Sequence, residues 1–237
     1  MNLRRGGARP LVVGHRGAAA VAPDNSLEAL AAAVTAGADL VEFDVGPGLL
    51  LGHSRRELSE RPVSLDNALD FLASSQTGIY VDLKLVGIEA EIVAAVRRHR
   101  LEARVIVSST WVRSLRRFAR VAPELPRVIG YPRDRFGAAG IAWPRLLTAG
   151  AAATARSAMP ARVPALLRAA RADVLALFHP LVTPAVVRAT HERGAALFAW
   201  PVNDPGLVER LAALGVDAIV SGDPGMALEV LATLNRP

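Results

Sequence analysis

Glu42 with Asp44 in "DLVEFDV", and Asp82 with Lys84 in "IYVDLK", put charge into runs that are otherwise largely apolar. Each pair is spaced by two, which sends both side chains to one face of a strand. Charges on apolar strands are costly unless something offsets them. Three carboxylates facing one another call for a cation, and Lys84 supplies only part of the balancing charge. Oxygen ligands from Glu42, Asp44 and Asp82, in a chain without cysteine, favour Mg²⁺ or Ca²⁺ over zinc. The alternative is an internal salt-bridge network in which Lys84 and Arg16 do the neutralising. His15 and Arg16 stand side by side after the apolar run "LVVG", and His53 follows a Gly-Pro-Gly turn beyond Asp44, so its loop could bring an imidazole over the same place. His99, His179 and His191 sit in or beside helical patterns or lack acidic strand-end partners, and are expected to be satisfied or surface imidazoles.

For these residues to converge they must share one end of one sheet. Short β-like runs alternate with longer helical stretches along the whole chain, at 11–14, 39–45, 79–84, 104–108, 127–130, 173–177, 196–200 and 217–221. They are apolar on both faces, as strands covered on both sides must be. Helix starts lie between them: Asn25 with Glu28 three positions on makes a capping-box pattern, and Thr183-Pro184, Asp204-Pro205 and Asp223-Pro224 each put a cap before a proline. No G-x-G-x-x-G follows a strand, so the pattern predicts an α/β fold with a single (β/α)8 TIM-type barrel, one domain over residues 1–237, instead of an open doubly wound sheet. The Ala-rich part of 131–172 is expected to hold one or two helices and a loop. In such a barrel the site lies at the C-terminal ends of the strands, where His15, Arg16, Glu42, Asp44, Asp82, Lys84 and Trp200, with Asn203 close behind, all fall.

Composition narrows the function class. The net charge of +6 is carried almost wholly by arginines scattered at helical spacings, with no zinc-finger or aromatic sheet motif beside them, so a solvated helix face is expected and nucleic acid is not. The apolar runs are too short for a membrane span, and "MNLRRGGARPLVV" lacks a signal-peptide core, which predicts a cytoplasmic protein with no stable membrane insertion.

Taken in order, "GHRG", "APDNSLEA", "GADLVEFDV", a histidine beyond it, "DLK", "WPVND" and "GVDAIVSGDP" resemble the glycerophosphodiester phosphodiesterase family from about residue 11 to 231. The resemblance implies a metal-dependent hydrolase that splits small-molecule glycerophosphodiesters into glycerol 3-phosphate and an alcohol. It implies His15 and His53 as the acid/base pair, Arg16 and Lys84 as phosphate-holding groups, and Glu42, Asp44 and Asp82 as ligands of the divalent ion. It also implies attack by the substrate's own neighbouring hydroxyl, through a cyclic phosphate. Trp200 is then a candidate wall for the glycerol pocket. The chain departs from the family pattern at Asp24, Ser26 and Asp82, in a short segment from Asp44 to His53, at Ser54 and at Pro201. Two other readings compete: a barrel with impaired catalysis that binds a phosphorylated ligand, and a lysine-centred decarboxylase or lyase built on Asp82 and Lys84. A small cationic mouth without a lipid-docking segment predicts water-soluble deacylated substrates over lysolipids.

Overall fold

In the computed structural model, which describes residues 1–6, 8–53, 62–133 and 149–234, eight parallel strands close into a barrel in sequence order. They are β1 (Leu11–Gly14), β2 (Leu40–Val45), β3 (Gly78–Leu83), β4 (Val105–Ser109), β5 (Arg127–Tyr131), β6 (Val174–Phe178), β7 (Ala196–Trp200) and β8 (Ala218–Ser221), and β8 pairs with β1 to complete the ring. Each expected strand is present within a residue of its predicted ends. Eight helices among the described residues form the outer layer: α1 (Leu27–Thr35), α2 (Leu65–Ala73), α3 (Glu89–Arg98), α4 (Val112–Val121), α5 (Ala149–Ala170), α6 (Pro184–His191), α7 (Pro205–Leu214) and α8 (Pro224–Leu234).

The strands read as continuous apolar runs because the barrel uses both faces. One set of alternating residues, including Val13, Leu40, Tyr80, Ile106, Val128, Val174 and Phe198, fills the interior. The other set, including Val12, Val41, Phe43, Val81 and Leu175, packs outward against the helices. Glu42 and Asp44 have the parity of interior Leu40, and Asp82 that of interior Tyr80, so strand alternation alone points all three into the barrel above its apolar filling.

Thr183 and Asp204 cap their helices as expected, accepting from Val186 N and Leu207 N at 3.2 and 2.8 Å. The cap before α1 is a correction. Ser26, not Asn25, is the N-cap, its hydroxyl accepting from Ala29 N at 3.1 Å. Part of 131–172 resolves into one helix of 22 residues that runs through Pro160 and Pro164, held by buried Met159, Val163 and Leu167 one turn apart. The loop expected before it falls largely outside the described residues, as does Ser54.

Candidate active site

Three features of the chain place the charged cluster. The β2–β3 register sets Asp44 directly beside Asp82. The turn after β1 is folded tightly: Arg16 has φ 51° and Gly17 φ 83°, and a Cβ on Gly17 would sit 2.5 Å from the backbone of Ala29, so only glycine fits there. That turn is tied to β2 twice, by Arg16 N donating to Glu42 Oε2 at 2.7 Å and Gly17 N donating to Glu42 O at 2.8 Å. Beyond β2 the short loop doubles back. Gly46 N donates to Leu50 O at 2.9 Å and Gly52 N to Asp44 O at 3.0 Å, which brings His53 against Asp44 even though the segment is short.

Glu42, Asp44 and Asp82 each offer a carboxylate oxygen, and these oxygens lie within 4.8 Å of one another. Lys84 Nζ lies 2.7 Å from Asp44 Oδ1 and 2.5 Å from Asp82 Oδ2. Arg16 lies over the other side, with Nε 3.2 Å from Asp44 Oδ2 and its terminal nitrogen 2.8 Å from the half-exposed Asp24. His15, half-buried at the end of β1, completes the set, its backbone N donating to Ser221 O at 2.7 Å. Trp200, at the end of β7, packs tilted against Phe178 with centroids 5.7 Å apart on the opposite, aromatic side of the mouth. Asn203 ties the loop after Trp200 to β8 by accepting from Gly222 N at 2.8 Å.

The electrostatics follow from the packing. Burial alone would raise Asp44, but Lys84 and Arg16 outweigh it and hold its carboxyl far below the usual range. Glu42 goes the other way: burial and then the neighbouring Asp44 push it well above the normal carboxylate range. Lys84 is half-buried, yet Asp44 and Asp82 outweigh its desolvation and keep it an ammonium, a poor nucleophile and an argument against the lysine-centred reading. His15 is lowered to about 4, first by burial and then by Arg16, so its ring is neutral near pH 7.

Arg16 is shared with Asp24, so the two cations do not balance Glu42, Asp44 and Asp82 once all three are ionised, a deficit that a divalent ion would fill. The donors fit such an ion: they are hard oxygens, and buried Asp44 Oδ1 has its ion pair with Lys84 but no aligned hydrogen bond. A salt-bridge network alone does not account for Glu42, whose Oε2 accepts from a neutral group, the backbone N–H of Arg16.

Among the remaining histidines, His99 pairs with Asp66 and Asp70 between α2 and α3, and His191 with Asp217 at the opposite end of the barrel. One site residue escaped the sequence reading. Asn25, which the capping-box pattern places as a helix cap, is buried against Asp44. The adjacent Ser26, able to cap α1 by itself, was the signal that Asn25 was spare.

Comparison with known proteins agrees with this geometry. The family model described as the glycerophosphoryl diester phosphodiesterase family matches residues 15–46 and 70–226. A glycerophosphodiester phosphodiesterase of Caldanaerobacter subterraneus subsp. tengcongensis is 24% identical over 259 residues, covering 91% of this chain and 95% of that protein. A crystal structure of a glycerophosphodiester phosphodiesterase from Parabacteroides distasonis has a TM-score of 0.75 at 19% identity, covering 96% of this chain and 99% of that one. A phosphodiesterase of Oleispira antarctica, in complex with the product sn-glycerol-3-phosphate, has a TM-score of 0.72 at 21% identity, covering 94% and 97%. Because that family model matches most of the chain, the chain belongs to the glycerophosphoryl diester phosphodiesterase family.

Proposed function

We infer that this chain, acting as a single barrel domain, hydrolyses glycerophosphodiesters to glycerol 3-phosphate and an alcohol in a divalent-metal-dependent reaction. The observation that carries the reading is the convergence of Glu42, Asp44 and Asp82 within 4.8 Å beside two cationic side chains. Glu42, Asp44 and Asp82 would hold the ion, with Mg²⁺ or Ca²⁺ the candidates. When bound, it supplies Lewis-acid stabilisation to a phosphate oxygen.

The chain's own groups do the rest. Arg16 presents its guanidinium fork, and Lys84 a point charge, to the non-bridging oxygens, where negative charge builds as the attacking oxygen arrives. His15, neutral at pH 7, is suited to take the proton from the attacking hydroxyl. His53 would return one to the departing alcohol oxygen, and the cyclic phosphate left behind is then opened by water to glycerol 3-phosphate, with the two histidines exchanging roles. Trp200, backed by Phe178, walls the pocket for the glycerol carbons. Site chemistry of this kind suits water-soluble deacylated diesters of membrane lipids, and no described helix is long and apolar enough to cross a membrane. A cytoplasmic role in lipid and glycerol metabolism is the setting we propose.

The test is release of glycerol 3-phosphate from glycerophosphocholine or glycerophosphoethanolamine, read with a coupled dehydrogenase assay. Turnover should vanish with chelator and return with Mg²⁺ or Ca²⁺, and exceed turnover of the matching lysolipid. Chelator-resistant turnover would sink the metal-dependent reading. A preference for lysolipid would sink the substrate reading alone.

A further inference from the structure

The ladder between β1 and β2 ends early, its last aligned residues being Gly14 and Val41. Asp44, three residues further along β2, therefore has a backbone N–H with no β1 partner. The carboxamide of Asn25 takes that place: its Oδ1 accepts from Asp44 N at 2.9 Å, and its Nδ2 donates to Asp44 Oδ2 at 3.3 Å. One side-chain amide thus grips both the backbone and the carboxylate of the same residue. Asn25 N also donates to Arg16 O at 3.0 Å, and Arg16 Nε approaches the same Asp44 Oδ2. Asn25 is 8% exposed and has φ 58°, a left-handed conformation that asparagine tolerates better than most residues. It is not needed to start α1, because Ser26 caps that helix.

We propose that Asn25 is a positioning residue for the cation site: its carboxamide sets the rotation of the Asp44 carboxylate, engaging Oδ2 and leaving Oδ1 turned toward the other two ligands. The inference rests on the metal-site reading above. The same grip holds Arg16, on the turn after β1, in register with the ligands on β2, so the phosphate-holding and cation-holding groups move together. Outer-shell partners of this kind typically change metal affinity by roughly 10- to 100-fold when removed.

Asn25→Gly and Asn25→Ala test it together. Glycine keeps the left-handed backbone and deletes only the amide, whereas alanine deletes the amide and adds backbone strain. Calorimetric titration of each protein with Mg²⁺ and with Ca²⁺, without substrate, should show affinity weakened at least 10-fold in both variants. At saturating metal, kcat should recover substantially while KM for glycerophosphocholine changes little. Wild-type metal affinity in Asn25→Gly with a defect only in Asn25→Ala would show that the backbone turn matters and the amide does not, overturning the proposal. Failure of the wild type itself to bind either ion would instead overturn the metal-site reading. Should Asn25→Gly not fold, wild-type protein labelled with ¹⁵N at asparagine carries the test. The Asn25 side-chain amide must shift on Mg²⁺ or Ca²⁺ titration, and an unmoved resonance overturns the inference.

Discussion

Glu42 and His15 are held in opposite unusual states by one crowded pocket. Burial and Asp44 raise Glu42, so it carries a proton over part of the pH range in which an ordinary glutamate is ionised. A cation needs that oxygen bare, so binding must expel the proton, and affinity should climb as pH rises toward the raised pKa of Glu42. Calorimetry in two buffers of different ionisation enthalpy would show the release as a buffer-dependent heat, and equal heats would refute it. For the histidines, alanine at His15 or His53 should each lower kcat by roughly 10²- to 10⁴-fold. On a p-nitrophenyl phosphodiester, whose leaving group needs no proton, the variant lacking the acid should be largely rescued and the variant lacking the base should not. We expect the rescued variant to be His53→Ala; full activity of that variant on both substrates would remove His53 from the chemistry. At this scale the charged strand residues were legible from spacing by two, but Asn25 was not. Its amide serves a residue 19 positions away, and only the early end of β1 creates the need.

Among the elements, the strands were readable because a closed parallel barrel demands apolar residues on both faces, a stronger signal than alternation. The loops were less so. The Asp44-to-His53 segment is shorter than the family pattern, and the two backbone bonds that close it leave no trace in residue type. The turn after β1 did leave one, in Gly17. Gly17→Ala would set a Cβ 2.5 Å from the Ala29 backbone at φ 83°, forcing α1 and the Arg16 turn apart. Strain and overpacking together should cost roughly 2–4 kcal/mol. The expected result is a melting temperature lower by roughly 5–15 °C, given about 2–4 °C per kcal/mol at this size, with activity lost disproportionately. A melting temperature within a degree of wild type would contradict the packing described.

For the whole molecule, the two ends of the barrel do different work. At the end away from the site, the aspartates that begin three strand regions each accept a backbone N–H from the preceding strand: Asp39 from Val12, Asp173 from Arg127 and Asp217 from Leu197, at 2.7, 2.8 and 2.8 Å. Asp217, 1% exposed, also accepts from Arg5 N and contacts His191 Nε2, both at 2.7 Å, and so fastens the N-terminal segment under the barrel. Asp217→Ala strips the buried Leu197 N–H and the half-buried Arg5 N–H of their acceptor, the buried one at roughly 1–3 kcal/mol. It should lower the melting temperature by several degrees while kcat/KM on glycerophosphocholine stays within about twofold. A large loss of activity without a loss of stability would break the division between a stabilising end and a reacting end. Three predicted strand segments beginning with Asp were visible in the sequence, but their shared role needed the register between neighbouring strands. The opposite end holds the proposed cation site of Glu42, Asp44 and Asp82, which calorimetric titration of Glu42→Gln against wild type with Mg²⁺ and Ca²⁺ puts to the test. The expected result is a folded variant, with unchanged circular dichroism, that has lost measurable binding of both ions. Unchanged affinity in that folded variant would contradict it.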